Sequence, residues 1–124
     1  MTTTTEISVL IVDDNRFFAQ RMAGLLDEME NVCFIHKAHN YDEALLHLAI
    51  HQYHYLLLDI SMPGKNGIEL LKTVGRLQFS GEIIMLTNSS EVFYRERCLL
   101  LGARYFLDKT ADFEKVPHIL NGIM

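Results

Sequence analysis

Apolar residues fall in short, nearly unbroken runs along the chain. Ile7–Val12 is interrupted only by Ser8, and similar runs occupy Val32–Ile35, Tyr55–Leu58, Ile83–Leu86 and Tyr105–Leu107. A strand with one wet face alternates polar and apolar residues. Runs without that alternation predict strands covered on both faces, as in a parallel sheet. The segments between them keep a helical period instead. Phe18, Met22, Leu25 and Met29 are spaced by four, three and four, which places them on one helix face. Asp42 is the expected cap of a second helix carrying Leu45, Leu48 and Ala49 inward, and Leu70, Leu71, Val74 and Leu77 mark a third. A fourth helix is expected to follow Ser89-Ser90 and stop at Gly102, and a fifth to begin near Asp112 and reach the chain end. Proline inside a helix removes a hydrogen bond, so Pro117 predicts a turn over Asp112–Lys115 and a short final helix from Val116 or Pro117.

Strands and helices that alternate in this order predict an α/β fold, a five-stranded parallel sheet with helices on both faces. The strands then run the same way, and ligands bind in the crevice at their C-terminal edge. The residues closing the runs become the informative ones. The first run ends in Asp13-Asp14, the third in Asp59 and the fourth in Thr87, while Lys109 follows the fifth after Asp108. Crowded carboxylates repel one another and hold their protons unless a cation is present. Hard oxygen ligands that leave open positions favour magnesium, which also accepts phosphate oxygens. After Asp59 the stretch Met62-Pro63-Gly64-Lys65-Asn66-Gly67 is rich in turn formers, so its backbone can bend close to the site. The constellation suggests a carboxylate that accepts a phosphoryl group, with the metal and Lys109 neutralising charge and Thr87 donating to a phosphoryl oxygen.

The chain has 124 residues, 49% of them apolar and 22% charged, which suits one core and excludes disorder. A net charge of −5 has the wrong sign for holding nucleic acid by bulk electrostatics. No apolar stretch is long enough to read as a membrane span, and the start Met1-Thr2-Thr3-Thr4-Thr5-Glu6 lacks the basic and apolar regions of a secretory signal. Cys33 and Cys98 sit among apolar neighbours, so two buried thiols in a reducing, cytoplasmic setting are expected rather than a disulfide.

Four pieces in this order, the acidic pair in LIVDDN, Asp59 in LLLDISMPGKNG, Thr87 in IIMLTNSS and Lys109 in GARYFLDK, resemble the receiver domains of bacterial two-component response regulators. The resemblance runs from Glu6 to near Met124. It implies a doubly wound, flavodoxin-like sheet of strand order 2-1-3-4-5. Residues 1–5 would be a flexible tail and residues 6–124 one receiver domain, of the stand-alone type without an output domain. It further implies that Asp59 is the phosphoacceptor and that Asp14 binds magnesium directly, with Asp13 acting through water and the Ser61 backbone carbonyl completing the protein ligands. Lys109 would contact the phosphoryl group, Thr87 would move toward it, and Phe106 would be the aromatic that turns inward as Thr87 shifts. Tyr105 is the neighbouring candidate for that role. Ser61 and Ser89 would flank the path of the water that removes the phosphoryl group.

The implied partners are a histidine kinase or histidine phosphotransfer protein upstream, and downstream a protein target on the face of helix 4, strand 5 and helix 5. No direct contact with nucleic acid or membrane is expected. Departures from the family pattern are Thr110 where proline commonly follows the lysine, which predicts a trans bond there, and Asn88 where a small residue is usual. A magnesium-dependent phosphatase is the alternative, disfavoured because Ser61 stands where such enzymes keep a second aspartate as general acid. A degenerate receiver acting as a phosphorylation-independent interaction module is a further alternative. Arg95 and Arg97 either join a docking face or only solvate the fourth helix. His47 and His51, four apart in a helical segment, permit a shared metal but show no third ligand along the chain.

Overall fold

The computed structural model describes residues 6–122, apart from the side chains of residues 89–91. The expected tail at residues 1–5 and the side chain of Ser89 thus lie outside the described residues. Five strands, β1 (Ile7–Val12), β2 (Val32–Ala38), β3 (Tyr55–Asp59), β4 (Glu82–Thr87) and β5 (Tyr105–Asp108), form a parallel sheet of order β2-β1-β3-β4-β5. The helices are α1 (Arg16–Asp27), α2 (Tyr41–Ile50), α3 (Gly67–Arg76), α4 (Arg95–Leu100) and α5 (Lys115–Leu120). All six residues of β1 are buried, which is why that run shows no polar alternation. Its odd and even positions feed two separate cores. Ile7, Val9 and Ile11 pack with Phe18, Met22 and Leu26 of α1 and with Val116, Ile119 and Leu120 of α5. Leu10 and Val12 pack on the other face with Ala44 of α2, Leu70, Leu71 and Val74 of α3 and Cys98 of α4.

Asparagine caps the first three helices. The side chain of Asn15 accepts from Phe18 N–H, Asn40 from Glu43 N–H, and Asn66 from both Ile68 and Glu69 N–H. The cap of α2 is therefore Asn40, and Asp42 lies inside its first turn, where its charge still suits the helix dipole. Ala49 on α2 is exposed rather than inward, and Leu77 is the cap residue after α3, 60% exposed. The expected fourth helix is broken: Ser89–Tyr94 forms a 3-10 segment, and only Arg95–Leu100 is α-helical before Gly102 at φ 113°. Val92 and Phe93 are exposed in that segment, so no continuous inward stripe holds an α-helix there. Pro117 occupies the first turn of α5, as its chemistry requires. Cys98 is buried, but Cys33 is exposed because β2 is an edge strand.

Of the glycines, Gly67 has the least room for a side chain. A Cβ there would lie 1.9 Å from the Asp59 carbonyl oxygen and 2.9 Å from Ile60 Cα, while the Gly67 N–H donates to the Ile60 carbonyl. The start of α3 is thereby pressed against the end of β3. Gly67→Ala is expected to lower stability by about 3 kcal/mol or more, because backbone must move to admit the methyl group. Gly75→Ala, in α3 with open space around it, should instead raise stability by about 0.5–1 kcal/mol. Chemical denaturation of the two variants checks the contrast.

Candidate functional site

In the order β2-β1-β3-β4-β5 the chain leaves β1 to one side and returns to β3 on the other, opening a crevice between their C-terminal ends. Asp13 and Asp14 follow β1 there, Asp59 closes β3, Thr87 closes β4 and Lys109 follows β5. Asp13, Asp59 and Thr87 are each no more than 2% exposed, whereas Asp14 reaches solvent. One carboxylate oxygen from each of Asp13, Asp14 and Asp59 lies within 4.8 Å of the others. Lys109 Nζ stands 2.6 Å from Asp13 Oδ2 and 3.3 Å from Asp59 Oδ1, and 4.7 Å above the centre of the Phe18 ring.

Several residues that the sequence reading passed over hold this cluster in place. Asp13 Oδ1 accepts from Asn15 N–H at 2.9 Å, so the residue that caps α1 also fixes the first carboxylate. His39 Nδ1 bonds the Asp13 carbonyl at 3.0 Å, and the His39 N–H donates to Glu43 Oε1. Lys109 N–H donates to the Thr87 carbonyl at 2.8 Å, tying the β4 end to the lysine loop. Around Lys109, Asp108 Oδ2 accepts from Thr110 and Ala111 N–H, and Asp112 Oδ2 accepts from Asp108 N–H. This carboxylate pair shapes the loop, with no cis bond among the described residues. Asx turns of this kind are ordinary loop chemistry, yet an Asp two to four residues from its backbone partner is a signal the sequence carries.

Thr87 and Phe106 lie on the same face of the sheet. Residues 83 and 85 of β4 point into the core beneath α2, α3 and α4, which Phe106 and Tyr94 also join, whereas Tyr105 joins the opposite core. Strand alternation therefore aligns Phe106, not Tyr105, with Thr87. Asn88 and Ser61 are exposed beside the crevice, and Arg95 and Arg97 are exposed on α4.

Burial, followed by the neighbouring Asp13 carboxylate, pushes Asp59 up to about 8, with Lys109 pulling the other way. Burial alone would lower Lys109, but its bonds and charge contacts with Asp13 and Asp59 outweigh that and hold it above its ordinary value. Asp13 Oδ2 and Asp59 Oδ1, both buried, have no hydrogen-bond partner among the described residues beyond their approach to Lys109. Buried carboxylate oxygens left in this state fit a hard divalent cation, which takes oxygen ligands and favours their ionised form.

The Asp59 shift has a consequence for stability. Its proton is held more tightly in the folded chain than at the ordinary value of 3.8, so the folded state binds more protons between 3.8 and about 8. This contribution is full below 3.8 and is lost as pH rises through about 8. In chelator, the melting temperature of Asp59→Asn should therefore gain on that of the unmodified chain as pH rises from about 5 to about 8. Magnesium should close the gap. Thermal melts at several pH values check this.

Residues 9–121 match the response regulator receiver domain family. The chain is 30% identical over 117 residues to the uncharacterized transcriptional regulatory protein YesN of Bacillus subtilis, a match covering 94% of this chain and 32% of that protein. It is 28% identical to the Fimbriae Z protein of Salmonella typhimurium over 94% of this chain and 56% of that one. The chain thus spans about a third to just over half the length of these relatives. Among solved structures, the response regulator protein TrrA from Thermotoga maritima, in complex with magnesium and beryllofluoride, is 26% identical with a TM-score of 0.80 over 95% of this chain and 99% of that one. No helix among the described residues is long and apolar enough to cross a membrane. With the sheet order, the strand-end acidic cluster and these matches in hand, the chain belongs to the response regulator receiver domain family.

Proposed function

We propose that Asp59 accepts a phosphoryl group from a phosphohistidine on a cytoplasmic histidine kinase or histidine phosphotransfer protein. The observation that carries this reading is the convergence of buried Asp59 with Asp13, Asp14 and Lys109 at one strand edge. One Asp59 oxygen attacks phosphorus in line. A P–O bond forms as the P–N bond breaks, and the donor imidazole leaves with the electron pair. Asp14 directly, Asp13 through water, Asp59 and the Ser61 carbonyl would hold magnesium, which when bound supplies positive charge to the phosphoryl oxygens. The magnesium and beryllofluoride complex of the related TrrA supports that assignment.

Lys109 meets the same oxygens as a point charge, and a short reach from Asp13 to Asp59 lets it follow the new phosphoryl group. Thr87 donates its hydroxyl to a phosphoryl oxygen. As it moves, space opens on its own face of the sheet, and Phe106 turns inward to fill it. The surface of α4, β5 and α5 then changes, and with it the affinity for a downstream protein. Exposed Val92, Phe93 and Leu100 around α4 suit such a face, flanked by Arg95 and Arg97.

The test is incubation with acetyl phosphate, and separately with candidate phosphorylated kinases, in magnesium. Intact mass should rise by one phosphoryl group, located at Asp59 by borohydride reduction and peptide mapping. An unmodified chain under both donors, or label on another residue, overturns the reading.

A further inference from the structure

The histidine-rich edge of the sheet, on the α2 side and away from the acidic crevice, brings together residues that the phosphotransfer reading leaves unused. His36 lies on β2, His47 on α2, and His51 caps the end of α2. The His36 ring centre is 5.3 Å from that of His47 and 4.7 Å from that of His51. His51 leaves the helix with extended backbone dihedrals, and this turns it toward β2 rather than along the helix. The Phe34 ring packs 4.8 Å from His36 and 5.9 Å from His51, closing one side with an apolar wall.

Imidazoles bound through nitrogen at about 2.0–2.1 Å around one tetrahedral ion have ring centres about 5 Å apart, close to the His36–His47 and His36–His51 separations. His36 also has the partner such a ligand needs. Its Nδ1 is 2.7 Å from the hydroxyl of Tyr53, a buried phenol that burial pushes up to about 12 and so keeps neutral. With Nδ1–H donating to that oxygen, the Nε2 lone pair is left for a metal.

We propose that His36, His47 and His51 form a second metal site, for a borderline divalent ion of the zinc class, with water in the fourth position. Imidazole nitrogen selects zinc, nickel or copper over magnesium, so the two sites sort ions by ligand chemistry. As they stand, the three rings do not each bring a nitrogen within 4.8 Å of the other two, so binding turns exposed His51 and half-buried His47 into other rotamers, toward the ion held by the oriented His36. The bound ion would clip the edge strand β2 to the end of α2. Tyr53 is a positioning residue in this arrangement and does not touch the metal.

The experiment titrates the full chain with Zn2+ against a chromophoric chelator, in excess magnesium so that the acidic crevice is occupied, while histidine ring signals are followed by NMR. One equivalent should bind, moving the signals of His36, His47 and His51 together. His47→Ala and His51→Ala, both surface changes, should each weaken binding at least tenfold. Tyr53→Phe, which keeps the ring and removes only the hydroxyl, should weaken it about 10-fold or more. Far-ultraviolet circular dichroism confirms that each variant is folded. The proposal is overturned if His47→Ala and His51→Ala bind as the unmodified chain does, if Cys33→Ser alone abolishes binding, or if magnesium displaces the zinc.

Discussion

The Asp59→Asn variant is expected to take up acetyl phosphate at least about a hundredfold more slowly than the unmodified chain, because an amide is a poor nucleophile for phosphorus. Among the described residues, no neighbouring carboxylate is placed to substitute for it. Asp13 has one oxygen engaged by the Asn15 N–H and the other 2.6 Å from Lys109, and Asp14 reaches solvent. The change also removes a buried carboxyl that must take up a proton on folding near neutral pH, so the variant should be more stable than the unmodified chain in chelator there. Loss of phosphate uptake with gain of metal-free stability separates a chemical role for Asp59 from a structural one. Uptake at the original rate would sink the assignment, and intact mass spectrometry over a time course reads it directly.

The acidic cluster was legible because each member closes or follows a strand, and parallel strands bring such ends to one edge. Their mutual arrangement was not. That Lys109 approaches Asp13 more closely than Asp59, and lies over Phe18, depends on side-chain geometry that no spacing along the chain encodes. The caps show a nearer failure. Asn40 and Asp42 both suit a helix start, and only the backbone conformation at Asn40 decides between them. Cys33 was misread because its neighbours are apolar. Burial of a strand depends on its place in the sheet, and β2 is at the edge. The same edge hid the third histidine: His36 is 11 residues before His47, and only the packing of α2 on β2 brings their rings together. The break between the 3-10 segment and α4 was illegible because Val92 and Phe93 look like core residues, although both are exposed.

Lys109→Ala is expected to separate phosphorylation from its surface consequence. Lys109 is joined to the site through its ammonium and to the end of β4 through its backbone N–H on the Thr87 carbonyl. Truncation spares the backbone bond but leaves Asp13 and Asp59 buried without their cation. Breaking a buried pair in this way costs about 3–5 kcal/mol when the remaining charge stays ionised. Part of that is offset here, because Asp59 can hold its proton instead. The variant should therefore melt below the unmodified chain in chelator, and magnesium should raise its melting temperature by more than it raises that of the unmodified chain. Phosphate uptake at Asp59 should persist at a reduced rate, since the nucleophile and the acidic pair remain. What should disappear is the linked movement of Thr87 and Phe106. Without the ammonium, the phosphoryl group has no contact that draws the β5 loop toward it, and Phe106 keeps its place against the core beneath α2, α3 and α4. The measurement is amide chemical-shift change on adding magnesium and beryllofluoride. Wild-type shifts around Phe106 and Tyr94 in the variant would show that Thr87 alone carries the signal.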